Sequence, residues 1–433
     1  MSSPREILGA PLRLAAGDVL PNRIAKAAMS ETLGDLDTGA PTDALCRLYE
    51  RWGRSGAGVL ITGNVMVDRD GTGEPGNVLI EDDRHLPALR RWATAAQGHG
   101  ARLWMQLNHA GRQSPRGLVR RPVAPSAVAM RGFLGMFAPP RALEEREIEA
   151  IVGRFAQTAA VARAAGFAGV QIHGAHGYLV SQFLSPLTNL RTDAWGGDPV
   201  RRRRFLLEVV RAIRSATAPS FPLTVKLNSA DFQSGGFDIE EAMAVAQALE
   251  AAGVDLIEVS GGTYERPAMS GSEQPRARAS TQAREAYFLT YAEKLRRATR
   301  LPLMLTGGLR TAAGMSEAIS SGAVDVIGLG RPLTYEPELP GRLLSGAATG
   351  ATTVNVRTWL GQITNLAQVV WHQEQILRLA AGDEPNLQMG AWEAVFRGTR
   401  RTMRGMRRRP RPQPVLGSGS APPLSGPAEP PRT

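Results

Sequence analysis

Short apolar runs rich in β-branched residues recur along the chain, each followed by a stretch whose apolar positions fall three and four apart. The first pattern marks buried strands and the second amphipathic helices. Eight such pairs follow one another, with strands expected at residues 22–29, 58–65, 101–107, 169–173, 223–228, 256–260, 303–306 and 324–328. The clearest helices span 145–165, which opens on an acidic turn, 200–216, which follows a Gly-Gly-Asp-Pro start signal, 239–252 and 283–299. Strand and helix alternating eight times within about 345 residues predict an α/β protein closed into a (β/α)8 TIM barrel. A doubly wound sheet would need a glycine-rich turn after its first strand, and the segment there reads SETLGDLDTGAPTD.

Two connections exceed what a barrel needs. Residues 108–144 after the third strand are rich in Pro and carry Phe133, Met136 and Phe137, and residues 261–281 follow the sixth strand. Loops after barrel strands lie on the catalytic face, so both are lid candidates, although Phe133 and Phe137 serve equally well to pack their loop on the barrel. Beyond the barrel, residues 355–381 read as helix, with Trp359, Leu360, Ile363, Leu366 and Val370 at helical spacing. That stripe is a packing face first and a homo-oligomer contact second. The chain thus divides into a barrel at 1–345, a C-terminal helical extension at 346–396 and a disordered Arg/Pro-rich tail at 397–433.

The net charge of +11 resembles a nucleic-acid footprint until it is located. Nine Arg against one acid fall between residues 397 and 433, so the rest of the chain is nearly balanced and nucleic acid is disfavoured as a partner. Only Lys26, Lys226 and Lys294 among the 51 basic residues are lysines, a bias ascribed to codon usage. The single cysteine, Cys46, excludes an internal disulfide, a Cys-rich zinc site and a self-supplied iron–sulfur cluster. No run approaches the ~18 apolar residues of a membrane span, and the opening MSSPREILGAPLRL has no signal-peptide core, so a cytoplasmic chain is expected.

The densest chemistry is QIHGAHGYL, which puts His173, His176 and Tyr178 at the end of the fourth strand. Two imidazoles three residues apart can donate a pair of hydrogen bonds to one oxygen, and a phenol remains a loaded proton donor at neutral pH. A His-x-x-His zinc site, with His109 nearby, is the rival reading; no carboxylate cluster accompanies it, and no metal is assigned. Gln106 ends the third strand with an amide able to pair with a heterocycle edge, and Lys226 ends the fifth, where burial requires a facing negative charge. Gly307 and Gly308 close the seventh strand, and Gly330 and Arg331 the eighth, where barrels commonly hold a phosphate. A flat polar heterocycle on one side and a phosphate on the other describe flavin mononucleotide, FMN.

Four strings carry a resemblance to a known family. PNRIAKAAMS at 21–30, QLNHAGRQ at 106–113, HGAHGYLVSQFLSPLTNLRTDAWGGD at 173–198 and GLGRPL at 328–333 resemble the old yellow enzyme family of FMN-dependent NAD(P)H oxidoreductases. The resemblance runs from about Leu8 to Leu344, and its long central string is the most specific. It implies FMN across the top of the barrel, reduced by NADH or NADPH and reoxidised by an electron-poor alkene, as in ene-reductases. By that resemblance Ala27, Ala28, Met29 and Ser30 lie beside the ring system, with Asn64 close by and Gln106 on the pyrimidine edge. Lys226, at a position usually Arg, serves the N1/O2 side, and Gly308, Gly330 and Arg331 hold the phosphate. His173 and His176 grip the carbonyl oxygen of a small-molecule substrate, and Tyr178 protonates the α carbon. Ser30 stands where many relatives have Thr or Cys, and the face served by Lys26 is left open.

Two further functions fit the pattern less well. A flavin-dependent tRNA-modifying reductase would use a cysteine acid on a strand loop, whereas Cys46 falls in the first predicted helix. A metal-dependent hydrolase would need zinc and would lack a yellow colour.

Overall fold

The computed structural model describes residues 2–131, 135–231, 233–260, 279–359 and 361–406. Eight parallel strands carry the fold: β1 Ile24–Lys26, β2 Val59–Met66, β3 Arg102–Asn108, β4 Gly169–Gly174, β5 Leu223–Asn228, β6 Leu256–Ser260, β7 Leu303–Thr306 and β8 Val326–Leu329. Each pairs with the next in sequence, and β8 pairs back to β1, where Gly328 lies opposite Ala25. Ala27, just past β1, also donates its N–H to Leu329 O at 2.8 Å, so the closed barrel has no free edge there. One helix follows each strand: α1 Asp43–Gly53, α2 Leu86–Gln97, α3 Glu145–Ala164, α4 Arg204–Ala216, α5 Ile239–Ala251, α6 Ala279–Ala298, α7 Ala312–Ser320 and α8 Leu339–Ser345. The expected (β/α)8 barrel is therefore the fold, with β5, β6 and β7 at the expected bounds.

Helix starts follow local chemistry. Thr42 accepts the N–H of Leu45 at the start of α1, and Asp238 accepts that of Glu241 at the start of α5. The helix read as 200–216 begins instead as a single turn, Pro199–Arg202, capped by Asp198, before α4 continues.

The barrel interior is stratified. Ala25, Val59, Ile61, Trp104, Leu256, Met304 and Val326 fill its lower part, joined by Leu14 and Leu20 from a short N-terminal hairpin that plugs the floor. Further toward the carboxyl ends the interior turns polar, with Gln106, Gln171, Lys226 and Glu258 all buried. An apolar floor beneath a polar upper layer confines chemistry to the end where the βα loops lie.

Two helices extend the chain, α9 Gly361–Ala381 and α10 Ala391–Met406. Ala367, Val370 and Trp371 of α9 pack with Tyr335, Met389 and Ala394 in a separate small core. The expected packing stripe is thus rotated: Val370 is buried, but Trp359 and Leu366 face solvent, and Leu360 lies outside the described residues. α10 runs past residue 397, where the composition had placed the start of a disordered tail. Small residues explain this, because Gly398 abuts Val370 and Gly405 abuts Pro75, so the helix through Met406 lies flat against the protein. Among the described residues no helix is long and apolar enough to cross a membrane. Phe133 and most of the loop after β6 lie outside the described residues; Phe137 pairs with Pro115 in an isolated bridge that folds the loop after β3 back on itself.

Candidate active site

The motif HGAHGYL bends sharply at the end of β4. His176 has φ 61° and Gly177 φ 75°, two successive left-handed residues. For a non-glycine residue that conformation costs about 1–2 kcal/mol. Both peptide groups of His176 are held: its N–H donates to Asn228 Oδ1 at 3.1 Å and its carbonyl accepts from Gln113 Nε2 at 2.8 Å. Two hydrogen bonds at about 1 kcal/mol each offset the strain and fix the turn.

The turn brings four side chains into one chain of hydrogen bonds. His173 Nδ1 lies 2.7 Å from Asn64 Oδ1, His173 Nε2 lies 2.9 Å from His176 Nδ1, and His176 Nε2 lies 2.8 Å from Ser260 Oγ. An amide oxygen accepts only, so His173 carries its proton on Nδ1, His176 donates from Nδ1 to His173, and Ser260 donates to His176. Asn64 Nδ2 donates to the Tyr178 hydroxyl at 3.4 Å, and the Tyr178 ring lies edge-on to His173 at 4.7 Å. Burial holds His173 well below the usual imidazole range and His176 down to about 3, with His176 (for His173) and Lys226 (for both) adding repulsion. Both rings are neutral at physiological pH. The sequence pattern has the two imidazoles donating to one shared oxygen; here the His173 N–H is spent on Asn64 and the His176 N–H on His173, so holding an oxygen requires one ring to turn.

Asn64 reaches this cluster through a β-bulge. The register between β2 and β3 shifts between Ile61 and Asn64. A buried group on the outer side of the sheet supports the shift: Glu31 accepts the Gly63 N–H at 2.8 Å and the Tyr49 hydroxyl, and Lys26 Nζ donates to Ile61 O at 2.7 Å and Tyr49 Oη at 3.1 Å. Lys26 Nζ also sits 4.4 Å from the Trp52 ring centre. This answers which face Lys26 serves: it points into the helix layer against α1, with burial lowering its pKa to about 8.

Inside the barrel, Lys226 and Glu258 stand opposite each other on β5 and β6, with Nζ and Oε1 2.8 Å apart. Gln171 Nε2 donates to Glu258 Oε2 at 2.9 Å, and Gln106 Nε2 donates to Gln171 Oε1 at 2.8 Å. The negative charge expected to face Lys226 is supplied by the chain itself, and an ammonium with three donors keeps capacity for another acceptor. Beyond β2 the Glu74 carboxyl is buried, and burial raises its pKa.

Gly307 and Gly308 follow β7 with φ 106° and 82°, and a Cβ at Gly330 would meet only Met29 Sδ at 3.9 Å. Arg331 follows at once, with Nη1 3.4 Å from Gln368 Oε1 of α9. Arg310 and Arg331 both depress His372 electrostatically, though burial is the larger cause, so two guanidinium charges converge beyond β7 and β8. Buried polar atoms without protein partners lie at the carboxyl ends of β3, β5 and β7: both side-chain atoms of Asn108, Asn228 Nδ2, Ser229 Oγ and Thr306 Oγ1. Orphaned groups of this kind call for a polar ligand. A cradle of glycines and arginine beside an amide and an ammonium fits the phosphate and ring edge of FMN.

The structure therefore gathers His173, His176, Tyr178 and Asn64 in one cluster, Gln106 and Lys226 in a second, and sets Gly308, Gly330 and Arg331 just past the ends of β7 and β8. His109 stands apart, its ring against Gly71 and burial lowering its pKa to about 4. Cys46 lies on α1, half-buried. Sequence reasoning missed Gln113, Gln171, Asn228, Glu258, Ser260 and the Glu31–Tyr49 pair. Gln113 and Asn228 stood in the motifs QLNHAGRQ and TVKLN, and Glu258 was legible only as an acid in the strand LIEVS.

The profile of the NADH:flavin oxidoreductase / NADH oxidase family matches residues 8–349. The chain is 39% identical over 355 residues to the NADH-dependent flavin oxidoreductase iliE of Neonectria sp. (strain DH2), covering 77% of this chain but 46% of that protein. It is 37% identical over 350 residues to the protein of the same name from Hypocrea jecorina (strain QM6a), covering 76% of this chain and 87% of that one. Among solved structures it resembles the old yellow enzyme homologue from Zymomonas mobilis, with TM-score 0.67 and 26% identity, over 82% of this chain and 98% of that one.

Proposed function

The chain belongs to the NADH:flavin oxidoreductase / NADH oxidase family, whose members depend on FMN and include old yellow enzymes, and from that premise we propose an ene-reductase-like activity. The substrate is a small molecule with a carbon–carbon double bond activated by a carbonyl or similar group, met in the cytoplasm. The observation that carries this reading is the neutral imidazole pair His173–His176 beside Tyr178 at the mouth of the barrel.

FMN would be held by the segment Ala27–Ser30, by Gln106 and Lys226 at its ring and by Gly308, Gly330 and Arg331 at its phosphate, and when bound it supplies the hydride. The protein's own residues do the rest. A turn of either imidazole frees an N–H for the acceptor's carbonyl oxygen, and a neutral donor polarises the double bond without adding a fixed charge. Asn64 holds both His173 and Tyr178, so the oxygen-binding and proton-donating groups share one anchor. Tyr178 delivers the proton to the α carbon from its hydroxyl. Residues 1–345 form the reacting barrel in this reading, and the extension from 346 closes over one side of it.

The test is a visible spectrum of the purified protein, followed anaerobically by NADH or NADPH and then by 2-cyclohexenone. Flavin absorbance that bleaches with the dinucleotide and returns with the enone supports the reading. A colourless protein that binds no added FMN overturns it.

A further inference from the structure

A cavity of about 1000 Å³ lies between α10 and the loops that follow β1, β2 and β3. Its walls touch the candidate site at Gln113, which holds the His176 carbonyl, and they include the buried carboxyl of Glu74. Its roof is basic, because Arg397, Arg400, Arg401 and Arg404 recur at three- and four-residue spacing along one side of α10. Two of the four are committed. Arg397 Nη2 lies 2.8 Å from Glu393, and Arg401 pairs with Glu374 and donates to Gln373 Oε1 at 2.7 Å. Arg400 and Arg404 have no carboxylate partner among the described residues.

The roof is tied to the site below it. Gln373 of α9 also donates to Thr32 Oγ1 at 2.7 Å, and Thr32 is a β-branched residue at φ 53°. Strain of that sort persists only where neighbours fix it and is concentrated at ligand clamps.

We propose that this cavity binds the pyrophosphate of the nicotinamide dinucleotide, with Arg400 and Arg404 as its phosphate ligands. The inference rests on the proposed function, in which a dinucleotide reduces the flavin. The chain has no glycine-rich dinucleotide turn after its first strand, so the two phosphates need another partner. Paired guanidinium groups suit phosphate geometry, and the volume is at the upper end of ligand pockets, adequate for a dinucleotide arm. Both arginines lie beyond residue 349, outside the span matched to the family, so the feature belongs to this chain's extension. The same chemistry would hold a carboxylate on an anionic acceptor, and the experiment separates the two.

The FMN-loaded double variant Arg400→Gln, Arg404→Gln is compared with wild type in four measurements. The Kd of redox-inactive 1,4,5,6-tetrahydro-NAD, read from the flavin spectrum, should rise about tenfold, the loss expected for two exposed charge-assisted contacts. The NADH concentration that half-saturates flavin reduction should rise equally. Reduction by 1-benzyl-1,4-dihydronicotinamide, which has no phosphate, and reoxidation by 2-cyclohexenone should not change. An unchanged Kd for tetrahydro-NAD overturns the proposal, as does a variant impaired only toward a carboxylate-bearing enoate. The doubly conservative variant Arg400→Lys, Arg404→Lys should recover part of the affinity, whereas a misfolded roof would not. A wild-type holoenzyme reduced by neither dinucleotide sinks the proposed function, and the Kd comparison still decides the cavity.

Discussion

Lys26→Met tests whether the buried group behind β2 holds the site in register. In the wild type the ammonium is fully buried, 3.8 Å from Glu31 and bonded to Ile61 O and Tyr49 Oη. At an effective dielectric of about 20, an ion pair at that distance is worth ~4 kcal/mol. Methionine keeps most of the volume over Trp52 but abandons Glu31 in the interior, and stranding one member of a buried pair costs about 3–5 kcal/mol. The lysine's own burial is also costly, since its pKa falls from 10.5 to about 8. Removing both charges relieves both penalties, so Lys26→Met with Glu31→Gln should be more stable than Lys26→Met alone by about 3 kcal/mol or more. Thermal unfolding at pH 7 reads the first effect as a fall of several degrees that the second substitution largely reverses. The affinity for a phenol, read from its flavin charge-transfer band, gives the second readout, because a collapsed bulge would move Asn64 and with it His173. A single variant as stable as wild type, or a double variant no better than the single, refutes the argument.

Other expectations follow from the same geometry. Tyr178→Phe should leave flavin reduction by NADH or NADPH intact and slow alkene reduction by about 10²–10⁴-fold, the range for losing a positioned proton donor; equal loss in both half-reactions, followed by stopped flow, would remove Tyr178 from its role. Gly63→Ala should unfold the bulge at a cost above about 3 kcal/mol, because its Cβ would overlap the Glu31 carboxylate and the Met29 carbonyl, and thermal midpoints measure it. Stability should fall as the pH drops below about 6.5, because burial lowers His109 to about 4 and His176 and His372 to about 3, and holds His173 well below the usual imidazole range. The sign follows from proton binding: the unfolded chain takes up protons near pH 6.5 while the folded one does not, so each such histidine removes about 1.4 kcal/mol per pH unit toward its folded pKa. Glu74, Asp231 and Glu241, whose pKa values burial raises, offset part of that loss. A midpoint that holds steady or rises from pH 7 to 5 contradicts this balance.

The barrel was legible because its signal is repeated. A single strand such as residues 303–306 is a weak pattern, but eight strands each followed by a helix leave one closed architecture, and the parallel order fixes which ends hold the site. The histidines and Tyr178 were legible for a local reason: two glycines and three proton-active side chains in nine residues suit no packed core. What the sequence concealed were the partners. Lysines are conspicuous among so many arginines, yet neither Glu31 nor Glu258 differs in composition or spacing from a surface acid. Only strand register puts Glu258 opposite Lys226, and only the path of the chain after β1 brings Glu31 back beside Lys26 and the Gly63 N–H. The hydrogen bond between His173 and His176 was hidden for the same reason, since it depends on a left-handed residue whose conformation is fixed by Gln113 in the loop after β3 and by Asn228 at the end of β5.

The extension shows the opposite error. Composition read residues 397–411 as solvated charge because arginine dominates, and over 397–406, the part the structure describes, that reading averages over the helical face. Along α10, Ala394, Gly398 and Gly405 are buried while Arg397, Arg400 and Arg404 are exposed, so the residues that decide packing are the small ones between the charges. A guanidinium on such a helix need not point to bulk water; here the arginines line a cavity whose floor is the loop after β1. The same bias that made the tail look like filler therefore sets two guanidinium groups without a carboxylate partner, Arg400 and Arg404, beside a cavity where a dinucleotide would bring negative charge.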